Sequence, residues 1–200
     1  MGVSAIKSLR EKTGAGIMDC KAALQSSDGD IAKAIDFLRK KGLATATKKS
    51  GRATNEGRIG SYIHFGGKIG VLVEVNCETD FVARNPEFQD LVKNLSMQVA
   101  GANPSPRYVC KEDVPEDVII HEREIYKAQA MESKKPEAVI EKIAEGKIKK
   151  FIQSVCLMEQ PYLKDPDLTI ADLVAQTIAK VGENIQIRRF VRYQLGESET

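Results

Sequence analysis

The sequence predicts an α+β protein. A three-helix bundle occupies residues 1–42, a linker covers 43–57, and an α+β core fills 58–200. Three observations predict it. Apolar residues recur at spacings of three and four through residues 4–41, the period of helices buried on one side. Gly66-Gly67 stands between two strand-like runs, the mark of a β-hairpin. A last strand-like run, 185–195, follows several helical patterns, so a small antiparallel sheet of about three strands is expected, backed by helices.

Taken in order, Ser4 opens the first helix, with Ile6 and Leu9 on one face, and Thr13-Gly14-Ala15-Gly16 breaks it. Ile17, Cys20 and Leu24 line a second helix. Ile31, Ala34, Ile35 and Leu38 line a third, and Gly42 after Arg39-Lys40-Lys41 is read as its stop. Lys48-Lys49-Ser50-Gly51-Arg52 reads as solvated linker. In the hairpin, 59–65 and 68–75, alternation of Ile69, Val71, Val73 and Val75 buries one face of the second strand. Phe88, Leu91, Val92, Leu95 and Val99 make an amphipathic helix. Two more helices follow over about 116–133 and 136–156, the second opening at Pro136, which suits a first turn. Pro161 and Asp165-Pro166 mark a loop. Thr169-Ile170-Ala171-Asp172 reads as a capping box for a helix that Gly182 closes. In the final strand Ile185, Ile187, Val191, Tyr193 and Leu195 are expected on one face.

Composition narrows the function. Thirty Lys and Arg against 28 Asp and Glu leave a net charge of +2, unlike the large basic excess of most nucleic-acid binders. The basic 48–52 stretch and the cluster Arg188, Arg189, Arg192 are the features that favour nucleic acid; solvated linker and a charged sheet edge explain them as well. No apolar run approaches membrane-spanning length, and the N-terminus shows no signal-peptide pattern, so a cytoplasmic protein is expected. Cys20, Cys77, Cys110 and Cys156 form no Cys-x-x-Cys pair, which argues for buried reduced thiols rather than zinc or dithiol chemistry. Gly66-Gly67-Lys68 leads into a strand and lacks phosphate-loop spacing.

The chain is organised around residues 75–86. Thr79 can cap a short helical turn that Asn85-Pro86 breaks, so Asp80 and Phe81 are expected on a tight, protruding corner. The plainer alternative makes Asp80 a second cap and Phe81 a core residue. Cys77, His64 and Asp80 can be imagined as nucleophile, base and orienter, and no catalytic signature supports them.

Three blocks carry a family resemblance: Leu9-Arg10-Glu11-Lys12-Thr13-Gly14-Ala15-Gly16-Ile17-Met18-Asp19-Cys20-Lys21-Ala22-Ala23-Leu24; Gly70 through Cys77-Glu78-Thr79-Asp80-Phe81-Val82-Ala83-Arg84-Asn85; and Gly146-Lys147-Ile148-Lys149-Lys150-Phe151 through Gln160-Pro161 to the closing strand. The sequence resembles the bacterial elongation factor Ts family, guanine-nucleotide exchange factors for elongation factor Tu. The resemblance implies that the bundle is ubiquitin-associated-like and that bundle and core both grip the GTPase. It implies that Thr79, Asp80, Phe81 and Val82 intrude near the partner's Mg2+ and phosphate site, with supporting contacts from Met18, Asp19, Cys20, Asn76, Ala83, Arg84 and Asn85. It implies no covalent chemistry, hence no catalytic residue, cofactor or metal of its own, and no direct nucleic-acid or membrane binding. Many members have a longer core with a duplicated half and a helical-hairpin insertion. This chain, too short for both, resembles the compact form, in which two copies pair through their sheets and bind two GTPases.

Overall fold

The computed structural model describes residues 3–132 and 136–197. Met1, Gly2 and Ser133, expected in the N-terminus and at a helix end, lie outside the described residues.

Three helices come first: α1 (Val3–Thr13), α2 (Ile17–Ser26) and α3 (Ile31–Lys49). Leu9, Cys20, Ala23, Leu24 and Ala34 form their common core, which is separate from the main one. Asp30 caps α3, its side chain accepting from the Lys33 N–H at 3.1 Å. Gly42 does not stop α3, contrary to the sequence expectation. The residue is buried where α3 crosses α8 (Ile170–Val181), and a Cβ there would sit 3.8 Å from the Ala175 carbonyl oxygen. Gly42 is not among the glycines at positive φ and keeps helical backbone, so the helix runs on to Lys49 and the basic 48–49 pair belongs to its last turn.

Strands β1 (Glu56–Ile63) and β2 (Ile69–Cys77) pair antiparallel, and β5 (Ile185–Gln194) joins the other edge of β2. The hairpin loop is longer than a two-residue turn: pairing ends at His64 and Ile69, with Gly66 and Gly67 both at positive φ. On the inner face Val71, Val73, Val75 and Ile187 meet Phe88, Leu91, Val92, Leu95 and Val99 of α5 (Pro86–Gly101) and Ile170, Val174 and Ile178 of α8. Each such side chain, fully buried, contributes roughly 1.5–3 kcal/mol.

One expectation about β5 is corrected by its register. Val75 faces Ile187 but Glu74 faces Arg189, so Arg188 is an extra residue, a β-bulge. Beyond it the alternation flips. Phe190 and Arg192 lie opposite inward Val73 and Val71, whereas Val191 and Tyr193 lie opposite Leu72 and Gly70 on the outer face. Ile185 and Ile187 therefore do not share a face with Val191 and Tyr193.

The segment after α5 adds α6 (Glu116–Met131) and α7 (Glu137–Val155), which pack against each other as a helical hairpin. The loop expected near Pro161 instead contains a small ladder, β3 (Pro161–Tyr162) with β4 (Asp165–Thr169). The capping box of α8 is present, Thr169 and Asp172 each accepting from the other's N–H, and Gly182 ends the helix at φ 80°.

Candidate functional site

The corner between β2 and α5 is built as a single helical turn, α4 (Asp80–Ala83). Thr79 is extended at φ −131° and ψ 156°, and its hydroxyl accepts from the Val82 N–H at 3.4 Å. Asn85 caps the next helix, its side chain accepting from the Glu87 N–H at 2.8 Å, and Pro86 occupies the first turn of α5. Four residues between two caps leave little room for the side chains to choose sides. Val82 is 3% exposed and belongs to the main core, while Phe81 is 78% exposed. The alternative that buried Phe81 is thereby excluded. Asp80 accepts from Arg84 Nη2 at 2.8 Å in an exposed i,i+4 pair, so its carboxylate has a ready partner on the same turn.

Residues distant in sequence hold this corner, and sequence reasoning missed them. Glu183 accepts from both the N–H and the hydroxyl of Thr79. Glu78 accepts from the Asn184 N–H and pairs with Arg52 at 3.5 Å. Gly182 signalled a turn at this place, but nothing local indicated what the turn touches.

The supporting residues lie in different environments. Met18 is 74% exposed at the start of α2, and Asp19 pairs with Lys41 of α3 at 2.6 Å. Cys20 is fully buried in the bundle core and offers no surface. Asn76 is half-buried and donates to the Glu56 carbonyl at 3.2 Å. Ala83 packs against the main core.

Cys77, His64 and Asp80 are not assembled into a catalytic set. Cys77 lies opposite Glu56 while His64 follows the other end of β1, eight residues on from Glu56, or about 26 Å at the strand rise. The Cys77 thiol donates to the Thr79 carbonyl, and burial pushes its pKa up to about 11. His64 faces the Tyr62 hydroxyl at 3.1 Å. Two of the three clustered arginines are engaged: Arg189 with Glu74 and Arg192 with Glu197.

Among the described residues no group of three or more His, Cys, Asp and Glu could hold a metal, and no helix is long and apolar enough to cross a membrane. A cleft of about 490 Å3 opens between the bundle and α8, lined by both signs of charge, among them Lys41, Lys180, Asp36 and Asp167. It favours no ligand class.

A capped, protruding Asp-Phe turn on a three-stranded sheet can be set beside known proteins. The family model described as elongation factor TS matches residues 42–197. The chain belongs to the elongation factor Ts family. Among its curated relatives, the elongation factor Ts of Desulfosudis oleivorans is 56% identical over 98% of each chain. That of Moorella thermoacetica is 58% identical over 96% of this chain and 94% of its own. That of Anaeromyxobacter dehalogenans is 62% identical over 96% and 87%. Membership makes this chain a nucleotide exchange factor for elongation factor Tu in protein biosynthesis.

Proposed function

We propose that the chain releases GDP from elongation factor Tu by inserting Phe81 beside the Mg2+ and phosphate site of the GTPase, with Thr79, Asp80 and Val82 shaping the inserted turn. One observation carries this reading: Phe81 stands 78% exposed on a doubly capped turn whose neighbour Val82 is locked in the core. A large exposed aromatic on a rigid support is the form of an interface anchor. A GTPase holds its nucleotide through Mg2+ and backbone N–H groups around the phosphates. Packing an aromatic against that cradle displaces it, and Asp80 supplies a competing acceptor. Accelerating release a thousandfold lowers the barrier by about 4 kcal/mol, within reach of one buried aromatic anchor and a rearranged hydrogen-bond set. Linkage requires that nucleotide weaken binding of the factor by the same coupling. The factor makes and breaks no covalent bond in this reading and acts in the cytoplasm.

Met18 and Asp19 supply a second grip from the bundle. Cys20 supports it from within, by packing, and Asn76, Ala83, Arg84 and Asn85 brace the corner. The chain works as a homodimer on two GTPases. Support for this pairing comes from the outer sheet face, where Ile59, Ile63, Leu72, Val191 and Tyr193 are all exposed. A disulfide through Cys156 is no part of this dimer, since that thiol is fully buried.

The test loads elongation factor Tu with fluorescent GDP and follows its release into excess unlabelled GDP. Fast release that collapses in Phe81→Ala, while binding to the nucleotide-free GTPase persists, is expected. Unchanged release with the intact protein would overturn the reading. Light scattering tests the pairing: a mass of one chain at working concentration would exclude the homodimer.

A further inference from the structure

The turn between α8 and β5 is stitched to the Thr79 corner in both directions. Glu183 reaches back across 104 positions, its Oε2 accepting from the Thr79 N–H at 3.0 Å and its Oε1 from the Thr79 hydroxyl at 2.7 Å. Glu78 returns the contact, its Oε1 accepting from the Asn184 N–H at 2.6 Å. Asn184 is buried and donates through Nδ2 to the carbonyls of Arg52 at 2.9 Å and Ser50 at 3.3 Å, just past the end of α3. Three stretches of chain meet at this clasp, and two of its bonds place a backbone N–H on a carboxylate, the stronger, charge-assisted kind.

The chemistry of Thr79 gives Glu183 a specific task. A threonine hydroxyl has one proton to donate and two lone pairs to accept with. Glu183 takes the proton, which turns the lone pairs toward the Val82 N–H that Thr79 caps. A helix of four residues cannot stabilise itself, because it has not passed the cost of nucleation. Its direction, and with it that of Phe81, is set by its anchors: Val82 in the core, Asn85 at its end and Thr79 at its start.

We propose that Glu183 is a positioning residue for nucleotide exchange: by clamping Thr79 it presents Phe81 in one orientation, without contacting the GTPase itself. This rests on the reading of Phe81 as the inserted side chain. The clamp holds Phe81 in its working geometry, and a small misplacement of an acting group costs rate steeply while the rest of the interface still binds, so losing the clamp slows release more than it weakens association. Both Thr79–Glu183 bonds lie at the surface, so the clamp adds little to global stability.

The experiment measures GDP release from elongation factor Tu with the intact chain, E183A, E183Q, F81A and the double variant F81A/E183A, alongside affinity for the nucleotide-free GTPase and thermal melts. E183A is expected to lower the maximal release rate about tenfold while the half-saturating concentration moves less than about threefold, since small misplacements cost rate before binding. E183Q keeps an acceptor and is expected to recover part of the rate. In the F81A background, loss of Glu183 is expected to cost nothing further, because the clamp acts only through Phe81. An E183A loss of equal size in both backgrounds overturns the proposal, as does wild-type release by E183A and E183Q while F81A is slow. The last result leaves the Phe81 reading standing. Wild-type release by F81A overturns that reading, and the clamp proposal with it.

Discussion

Arg39 and Asp172 hold each other across 133 positions: Arg39 Nε donates to Asp172 Oδ1 at 2.9 Å, and Nη2 to Oδ2 at 2.5 Å. The forked pair joins α3 of the bundle to the first turn of α8 in the core. Asp172 is buried and also accepts from the Thr169 N–H and hydroxyl, at 3.0 and 2.7 Å. Arg39→Ala would leave this buried carboxylate with its cap partners alone. Because the arginine is itself about a third exposed, the expected loss is reduced from the full buried-pair cost to about 1–3 kcal/mol, read by urea denaturation.

The same pair predicts an acid dependence. Burial pushes the Asp172 carboxyl up, but the Arg39 guanidinium, together with the Thr169 hydroxyl and N–H, outweighs it and holds the group below its ordinary value of 3.8. A carboxyl depressed in the folded state stabilises the fold above its unfolded pKa, and that stability is lost as pH falls through the folded one. Stability is expected to drop below about pH 4, with a shallower slope in Asp172→Asn. Equal slopes for the two proteins in acid titrations followed by circular dichroism would rule out this group as the source.

Neighbouring residues of the corner should separate stability from function. Phe81 is exposed, so Phe81→Ala is expected to change stability by no more than about 0.5 kcal/mol. Val82 lies in the core, and Val82→Ala is expected to cost about 1–3 kcal/mol through lost burial and the cavity left behind. Differential scanning calorimetry on both variants checks the contrast.

Two glycines make opposite predictions. A Cβ on Gly60 would lie 2.3 Å from Val92 Cγ1 and 2.9 Å from Ser96 Oγ, because β1 runs directly beneath α5. Gly60→Ala is expected to destabilise by about 1–3 kcal/mol through overpacking. Gly146 sits within α7 with nothing near its would-be Cβ, so Gly146→Ala is expected to stabilise by about 0.5–1 kcal/mol. Melting curves that shift in the same direction for both would contradict this packing of β1 against α5 and the open flank of α7.

The thiols should be slow. Burial pushes Cys77 and Cys156 up to about 11, and burial followed by the Asp113 carboxylate pushes Cys110 up to about 12. Alkylation of the native protein at pH 7.5 is expected to lag that of the denatured chain at least tenfold, because the thiolate is the reactive form.

Local chemistry was enough to determine most of the elements. The bundle helices, the amphipathic α5, the Thr169-Asp172 capping box and the Thr79 cap all follow from signals a few residues long, and such signals survive folding because they satisfy neighbouring backbone groups. So did the existence of the Asp80-Phe81 corner, since a cap followed by Asn85-Pro86 leaves room for only one turn. Tertiary structure alone decided the rest. Gly42 reads as a stop in the sequence, yet it is buried against α8 and stays helical. The bulge at Arg188 has no local signature, yet it turns Val191 and Tyr193 to the outer face, because a strand alternates and one extra residue inverts everything after it. Phe81 stands on the outside because neighbouring Val82 claims the core, and Glu183 reaches Thr79 because the antiparallel pairing of β2 with β5 sets Cys77 opposite Ile185. Contacts between residues a hundred positions apart leave no period or cap to read, which is why the corner was legible in the sequence and the clamp that holds it was not.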